Sequence, residues 1–285
     1  MSDTGPIDLH THSSVSDGTE TPAELVDAAV AAGLSAVALT DHDSTAGWDE
    51  AFAEASGTGL TVIPGMELST NYGPASVHML AYLFDPLDPT IIAETARIRD
   101  GRLHRAERIV ERIQADYDLT WEEVLAQSVD GGTIGRPHIA DALVVRGYVT
   151  DRSAAFESIL HWRSGYYEKY YAPAPIDGVR MIVAAGGVPV LAHPATFGRY
   201  RVIDEDTIAE LVDAGLFGLE IHHRDNTEDG KVRLYELAEK FGLRVTGSSD
   251  YHGEGKPNRL AENSTSPAVL ADLIAAGTGS APFYG

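Results

Sequence analysis

Short apolar runs of four to eight residues recur along the chain, separated by stretches of ten or so residues with helical spacing. The first, IDL at 7–9, is followed by a polar turn and then by TPAELVDAAVAAGL, where Thr21 suits an N-cap and Pro22 the first helical position. Glu24 completes a capping box and Gly33 ends the helix. AVAL at 36–39 stops at Asp41, His42 and Asp43; a helix near 46–56 leads to a strand at 60–63, and the same apolar run ends at Glu67. VHMLAYLF supplies a strand at 77–82 that carries His78. The second half keeps the rhythm, with helices near 178–185, 205–214 and 230–241 feeding strands at 188–192, 217–221 and 243–246. Such alternation builds βα units, and the right-handed crossover lays their strands side by side in a largely parallel sheet. Seven strands predict an α/β fold close to a closed barrel.

Residues 94–175 break the rhythm with four charged amphipathic helical segments and no strand. They read as an all-helical subdomain inserted over the active face. The expected organisation is therefore barrel 1–93, helical cap 94–175 and barrel 176–285. The last part, 254–285, is rich in Gly, Ser, Pro and Asn and is expected to pack loosely around a short helix near 267–276.

With 285 residues, 44% of them hydrophobic, the chain can bury one large core and a smaller module. It contains no long apolar run and no basic leader, so a cytoplasmic protein without membrane contact is expected. Zero cysteines exclude thiolate ligands, which leaves His, Asp and Glu to build any metal site. The formal charge of −22 opposes wrapping of long DNA or RNA but still allows a locally cationic pocket. Oligomeric state leaves no trace in the pattern.

Candidate chemistry gathers where the predicted strands end, the usual position of sites in barrels and open α/β sheets. In DLHTHSSVSDG (8–18), His10 and His12 lie two apart on an extended segment, so their rings share a side, and Asp17 follows within a loop's reach. In a barrel, His42, Glu67, His193, Asp250 and His252 converge on the same mouth, and His78 reaches inward from its strand. Six imidazoles and three carboxylates exceed the needs of one ion and suit two or three divalent ions, Mn, Zn or Fe, with Mg also admissible. Three carboxylates and three such ions leave a local charge of roughly +3, which favours an anionic substrate.

At these residues the chain resembles the polymerase and histidinol phosphatase (PHP) superfamily of metal-dependent phosphoesterases. The matching pieces are DLHTHSSVSDG, LTDHD (39–43), PGMELS (64–69), VHML (77–80), AHP (192–194) and SDYH (249–252). The resemblance implies a distorted seven-stranded barrel and a trinuclear centre held by His10, His12, Asp17, His42, Glu67, His78, His193, Asp250 and His252. It further implies that Glu67 bridges two ions, that Asp17, His42 and His252 lie near a third, and that a metal-activated water attacks phosphorus with His193 and Asp250 as catalytic partners. The helical insert with GRPHIADAL (135–143), together with GLEIHH (218–223), resembles the small bacterial branch acting on nucleotides. Its substrates are adenosine 5′-monophosphate, 3′,5′-bisphosphonucleosides and short 5′-phosphorylated RNA.

Arg136 and His138 of the insert, and Arg199 and His223 near the mouth, are the expected substrate phosphate contacts, guanidinium groups being well shaped for phosphate oxygens. Asp41 and Asp43 flank His42 and are candidates to orient an imidazole. The aromatic run SGYYEKYYAP (164–173) either stacks a base or packs the insert on the barrel. Three alternatives stand beside the nucleotide reading: a histidinol-phosphate phosphatase, a metal-dependent amidohydrolase or deaminase, and a metal-binding domain without turnover.

Overall fold

The computed structural model describes residues 5–73, 75–196 and 203–285. In the first half the elements are β1 (Ile7–Thr11), α1 (Pro22–Ala31), β2 (Ala36–Leu39), α2 (Trp48–Ala55), β3 (Thr61–Tyr72) and β4 (Ala75–Tyr82). The helical segment contains α3 (Pro89–Ile113), α4 (Trp121–Leu125), α5 (Arg136–Val145) and α6 (Arg152–Glu157). Then come α7 (Pro175–Ala184), β5 (Val188–Leu191), α8 (Glu205–Ala214), β6 (Gly218–His222), α9 (Glu228–Phe241), β7 (Arg244–Gly247), α10 (Pro267–Ala276) and β8 (Phe283–Tyr284). No helix among the described residues is long and apolar enough to cross a membrane.

The seven main strands follow one another in chain order around a nearly closed sheet, with β8 paired to the start of β3. The expected strand count holds, but the direction of one strand differs. β4 runs antiparallel to both β3 and β5, while the other main neighbours are parallel. The physical reason is the connection: β3 continues to Tyr72 and returns through a tight hairpin, too short for a crossover helix. Between β1 and β7 the gap is bridged by the chain after β7, where the His12 N–H donates to the Tyr251 carbonyl at 2.9 Å and the Thr265 N–H to the Ile7 carbonyl at 3.0 Å.

Alternate residues of each strand divide between two cores. Val37 and Leu39 join a cluster with Leu25 and Val26 of α1, Ile182 of α7, and Leu234 of α9, the layer between sheet and helices. Ala36 and Ala38 face the other way, with Leu9, Ile63, Tyr82 and Val190, and α10 adds Leu270 and Leu273 to this inner cluster. The helical segment has a third core of its own, including Ile109, Ile113, Ile139 and Leu143. Its first helix starts at Pro89, five residues earlier than the expected boundary, because the Asp88 carboxylate caps the Thr90 and Ile91 N–H groups.

The tail does not pack loosely. The buried Asp8 carboxylate accepts the N–H groups of Ser249 at 3.0 Å and Ala261 at 2.9 Å, tying β1 to the segment after β7. An Asp8→Ala variant is expected to lose about 2–5 kcal/mol, since it strands two or more buried N–H donors. Urea unfolding of the metal-free protein measures this, and a loss below about 1 kcal/mol would mean that water replaces the carboxylate.

Candidate metal centre

The residues singled out at the strand ends meet in one buried cluster. His10 and His12 leave β1 on the same side, their Nε2 atoms 3.1 Å apart. Glu67, in the middle of β3, sends Oε2 to within 3.3 Å of His10 Nε2, 3.2 Å of His12 Nε2 and 3.2 Å of His42 Nδ1. Its Oε1 lies 2.7 Å from His78 Nδ1 and 3.2 Å from His193 Nε2. Asp250 Oδ1 is 3.3 Å from His12 Nε2 and 3.5 Å from His10 Nε2. Asp17 stands apart with His252 Nε2 at 3.2 Å and His42 Nε2 at 3.6 Å. The antiparallel course of β4 brings His78 to Glu67, its side chain facing the cluster from the neighbouring strand.

Donor atoms sharing an ion with bonds near 2.1 Å stand about 3.0–3.4 Å from one another, which is the spacing found here. Among the described residues five groups could hold ions: His10, His12, Glu67 and Asp250; His42, Glu67 and His78; His12, Asp17 and His252; His10, His193 and Glu220; and His223, Asp225 and Asp250. Glu67 is common to the first two, the arrangement of a bridging carboxylate. His42 Nδ1, His252 Nε2 and Asp250 Oδ1 are buried and make no aligned hydrogen bond, although possible partners lie near. Buried polar atoms that converge without pairing are the mark of a cation site.

The charges agree. Burial opposes ionisation of Glu67, yet the surrounding imidazoles of His78, His42 and His10 hold its carboxyl well below the usual range. Asp17 and Asp250 are likewise held low against burial, chiefly by His252 and His42 in the one case and by Lys256 and His252 in the other. Burial keeps His42 well below its ordinary value and, together with Lys256 and His12, brings His252 down to about 4. His12 is pushed up to about 9 despite burial, by Asp250 and Glu67, so proton loss from it is coupled to metal binding.

Supporting residues set these positions. Asp41 accepts from the Ser13 N–H and hydroxyl and from the Ser16 hydroxyl, and Ser16 Oγ lies 3.3 Å from His12 Nδ1, so Asp41 reaches an imidazole through one serine. Asp43 touches no imidazole; it accepts from Ser69 and pairs with Arg102 at 2.9 Å. Asp43, His193 and Asp250 all have left-handed backbones, at φ 53, 29 and 55. Non-glycine residues in that region carry strain, which concentrates at functional sites.

A cavity of about 630 Å³ opens over the cluster, walled by Asp17, His42, His78 and His252 on the barrel side and by α3, α5 and the 167–170 segment on the cap side. That volume suits a small ligand. Seven cationic side chains line it: Arg102, Arg105, Arg136, Arg152, Lys169, Arg224 and Lys256. Arg152 spans cap and barrel, gripping both Asp141 carboxylate oxygens and donating to the Asp17 carbonyl at 2.6 Å.

Of the expected substrate contacts, Arg136 lines the cavity, its guanidinium 5.1 Å from the Phe156 ring centre. His138 does not line it; its Nδ1 accepts the Gly135 N–H at 3.1 Å, which closes the first turn of its own helix. His223 is fully buried beside the donor cluster, ring centres 5.0 Å from His193 and Nε2 3.6 Å from Asp250 Oδ2, instead of standing on the cavity wall. Arg199 lies outside the described residues. The aromatic run divides: Tyr167 and Tyr170 face the cavity, whereas Tyr166 bonds Asp116 and Tyr171 bonds Glu94 on the outside of the cap.

Arg152, Lys169 and Arg224 of the cavity wall escaped the sequence reading, and so did four residues closer to the cluster. Arg102 and Arg105 sit on the buried stripe of α3, in register with Ile98, Ile109 and Ile113. Arginines at the core positions of an otherwise amphipathic helix were a readable signal. Lys256, whose Nζ lies 2.7 Å from Asp250 Oδ2, was hidden in the tail. Glu220, flanked by Leu219 and Ile221 in a buried strand, was a lone acid where an apolar residue belongs.

Residues 8–158 match the family model described as the PHP domain. A 3′,5′-nucleoside bisphosphate phosphatase from Chromobacterium violaceum is 34% identical over 261 residues, covering 89% of each chain. A 5′-3′ exoribonuclease from Haemophilus influenzae is 32% identical over 251 residues, or 87% of this chain and 90% of its own. Among solved structures, a Bifidobacterium adolescentis protein described as a candidate metal-dependent phosphoesterase superposes with a TM-score of 0.93 at 41% identity, covering 96% of this chain and 97% of that one.

Proposed function

The chain belongs to the PHP-domain family of metal-dependent phosphoesterases, and from that premise we propose that it removes phosphate from a small nucleotide carrying a second phosphate, a 3′,5′-bisphosphonucleoside. The observation that carries this reading is Arg105. It is 4% exposed, its Nε is buried without a hydrogen-bond acceptor, and it makes no ion pair among the described residues, its guanidinium lying 4.2 Å over the Tyr170 ring. Burial, together with the nearby charges of Arg136 and Arg102 and against the influence of Tyr170, brings it down to about 9. A buried cation left without a counter-charge is costly unless an anion visits it.

Arg102, one turn earlier, is paired with Asp43 and faces Asp17 and Glu67. Arg105 stands roughly 4.5 Å further along the helix axis, where the charges acting most strongly on it are Tyr170, Arg136 and Arg102. Two anionic groups of one substrate therefore find separate partners, one at the ligand cluster and one at Arg105 and Arg136. Phe156, Tyr167 and Tyr170 line the same cavity, with the Arg105 and Arg136 guanidinium groups over their rings, and give a base an apolar wall to lie against. The C. violaceum relative named for bisphosphonucleosides supports the same substrate.

The residues that would hold two or three divalent ions, Mn, Zn or Fe, are His10, His12, Asp17, His42, Glu67, His78, His193, Asp250 and His252. When bound, such ions supply Lewis acidity toward phosphoryl oxygens and acidify a water for attack on phosphorus. The chain's own part is to fix the ester: Glu67 and Asp250 set the spacing of the centre, Arg102 and Lys256 draw the phosphate in, and the cap excludes bulk water. His193 and Asp250 reach the cluster from left-handed backbone positions.

Phosphate release by chelator-stripped protein, with Mn, Zn or Mg restored, tests this on 3′,5′-bisphosphoadenosine, adenosine 5′-monophosphate, a 5′-phosphorylated dinucleotide and histidinol phosphate. The bisphosphate is expected to give the highest kcat/KM. Preference for the dinucleotide would make the protein an RNA trimmer. Turnover of histidinol phosphate alone, or of none with ions bound, would overturn the nucleotide reading.

A further inference from the structure

Glu220 is completely buried in β6 and touches two residues of the donor cluster from behind. Its Oε1 lies 3.0 Å from His10 Nδ1, and its Oε2 accepts the His193 backbone N–H at 2.8 Å. The opposite nitrogen of His10, Nε2, is the one that faces Glu67 and Asp250, and His193 Nε2 faces Glu67. Next to Glu220, the Asn226 amide donates to the Glu220 and Ile221 carbonyls and accepts the Ala195 N–H at 2.9 Å. The end of β6 thus clasps residues 193–195 at two points, and the first of these is the backbone of His193, held at φ 29.

We propose that Glu220 is a positioning residue for the metal centre. One carboxylate fixes the proton of His10 on Nδ1, leaving the Nε2 lone pair for an ion, and holds the strained backbone that aims His193. The inference rests on the reading of this cluster as a metal site. Both partners of Glu220 are donors, so both of its oxygens must accept. A glutamine offers one acceptor and one donor: if its oxygen keeps the His193 N–H, its amide meets His10 Nδ1 and drives the ring proton to Nε2, where it blocks ligation. Carboxylates that orient a ligating imidazole in this way commonly tune metal affinity by about 10–100-fold.

The test compares the full-length parent with Glu220→Gln, Glu220→Asp, His10→Ala and the His10→Ala/Glu220→Gln double variant. Chelator competition gives zinc and manganese affinities, urea unfolding without metal checks the fold, and 15N spectra of the histidine rings in the zinc-loaded protein report the His10 tautomer. Glu220→Gln is expected to weaken binding roughly 10–100-fold and to move the His10 proton from Nδ1 to Nε2. Glu220→Asp keeps two acceptors and is expected to lose less. In the His10→Ala background, Glu220→Gln is expected to add no more than the share owed to His193, well below its effect alone. Affinities within twofold of the parent in Glu220→Gln overturn the inference, as does a full, additive loss in the double variant, which would make Glu220 a ligand in its own right. If Glu220→Gln fails to fold, Glu220→Asp decides: a measurable loss supports the role and parental affinity refutes it. A parent that binds no divalent ion overturns the metal-centre reading itself, and this one with it.

Discussion

Replacing Glu67 by glutamine is expected to lower kcat/KM for the nucleotide substrate by roughly a thousandfold or more, the equivalent of several kcal/mol of lost transition-state stabilisation. Among the described residues, Glu67 is the one carboxylate whose two oxygens reach imidazoles from four different strands or the turns just after them: Oε2 to His10, His12 and His42, and Oε1 to His78 and His193. An amide keeps the shape but gives up one acceptor oxygen and the negative charge. It therefore strips a shared ligand from two of the donor groups at once. Phosphate release at saturating Mn or Zn, with ion content measured on the same sample, reads the effect. A loss below tenfold with full ion content would mean that Glu67 is not shared between ions.

Arg105→Met separates the second anion site from the chemistry. A buried charge-assisted contact contributes about 1.5–3 kcal/mol, so kcat/KM for 3′,5′-bisphosphoadenosine is expected to fall about 10–150-fold. A small phosphate monoester that lacks a second phosphate is expected to change no more than about threefold. Stability should move the other way, or not at all, because methionine fills similar volume without a buried charge. Urea midpoints of parent and variant, set beside the two kinetic measurements, distinguish the cases. Equal losses on both substrates would assign Arg105 to the reacting phosphate, and a destabilised variant would make it a structural cation.

Much of the site was legible before any coordinates. His10 and His12 were readable as a pair because a strand places alternate residues on one face. The remaining ligand candidates were readable because βα units end their strands on a common side. His78 shows the limit of that logic: it belongs to a strand running the opposite way, and only the hairpin from β3 brings it beside Glu67. His138 and His223 show another limit, since sequence position put them near the mouth while a helix cap and a buried corner claimed their side chains.

The sequence by itself determined the alternation of strands and helices, the interrupting helical segment and most of the His, Asp and Glu side chains that meet in the cluster. Those rest on periodicity and residue chemistry, which act over a few positions. Only the tertiary structure decided the course of β4, the tight docking of the tail, and the partnerships of Arg105 and Glu220. Among the described residues Arg102 has a carboxylate partner while Arg105 has none, though both lie on one buried stripe of α3, because the difference is whether Asp43 from another strand end falls within reach. Glu220 meets His10 across 210 positions of chain, a contact fixed by closure of the sheet and by nothing local to either residue.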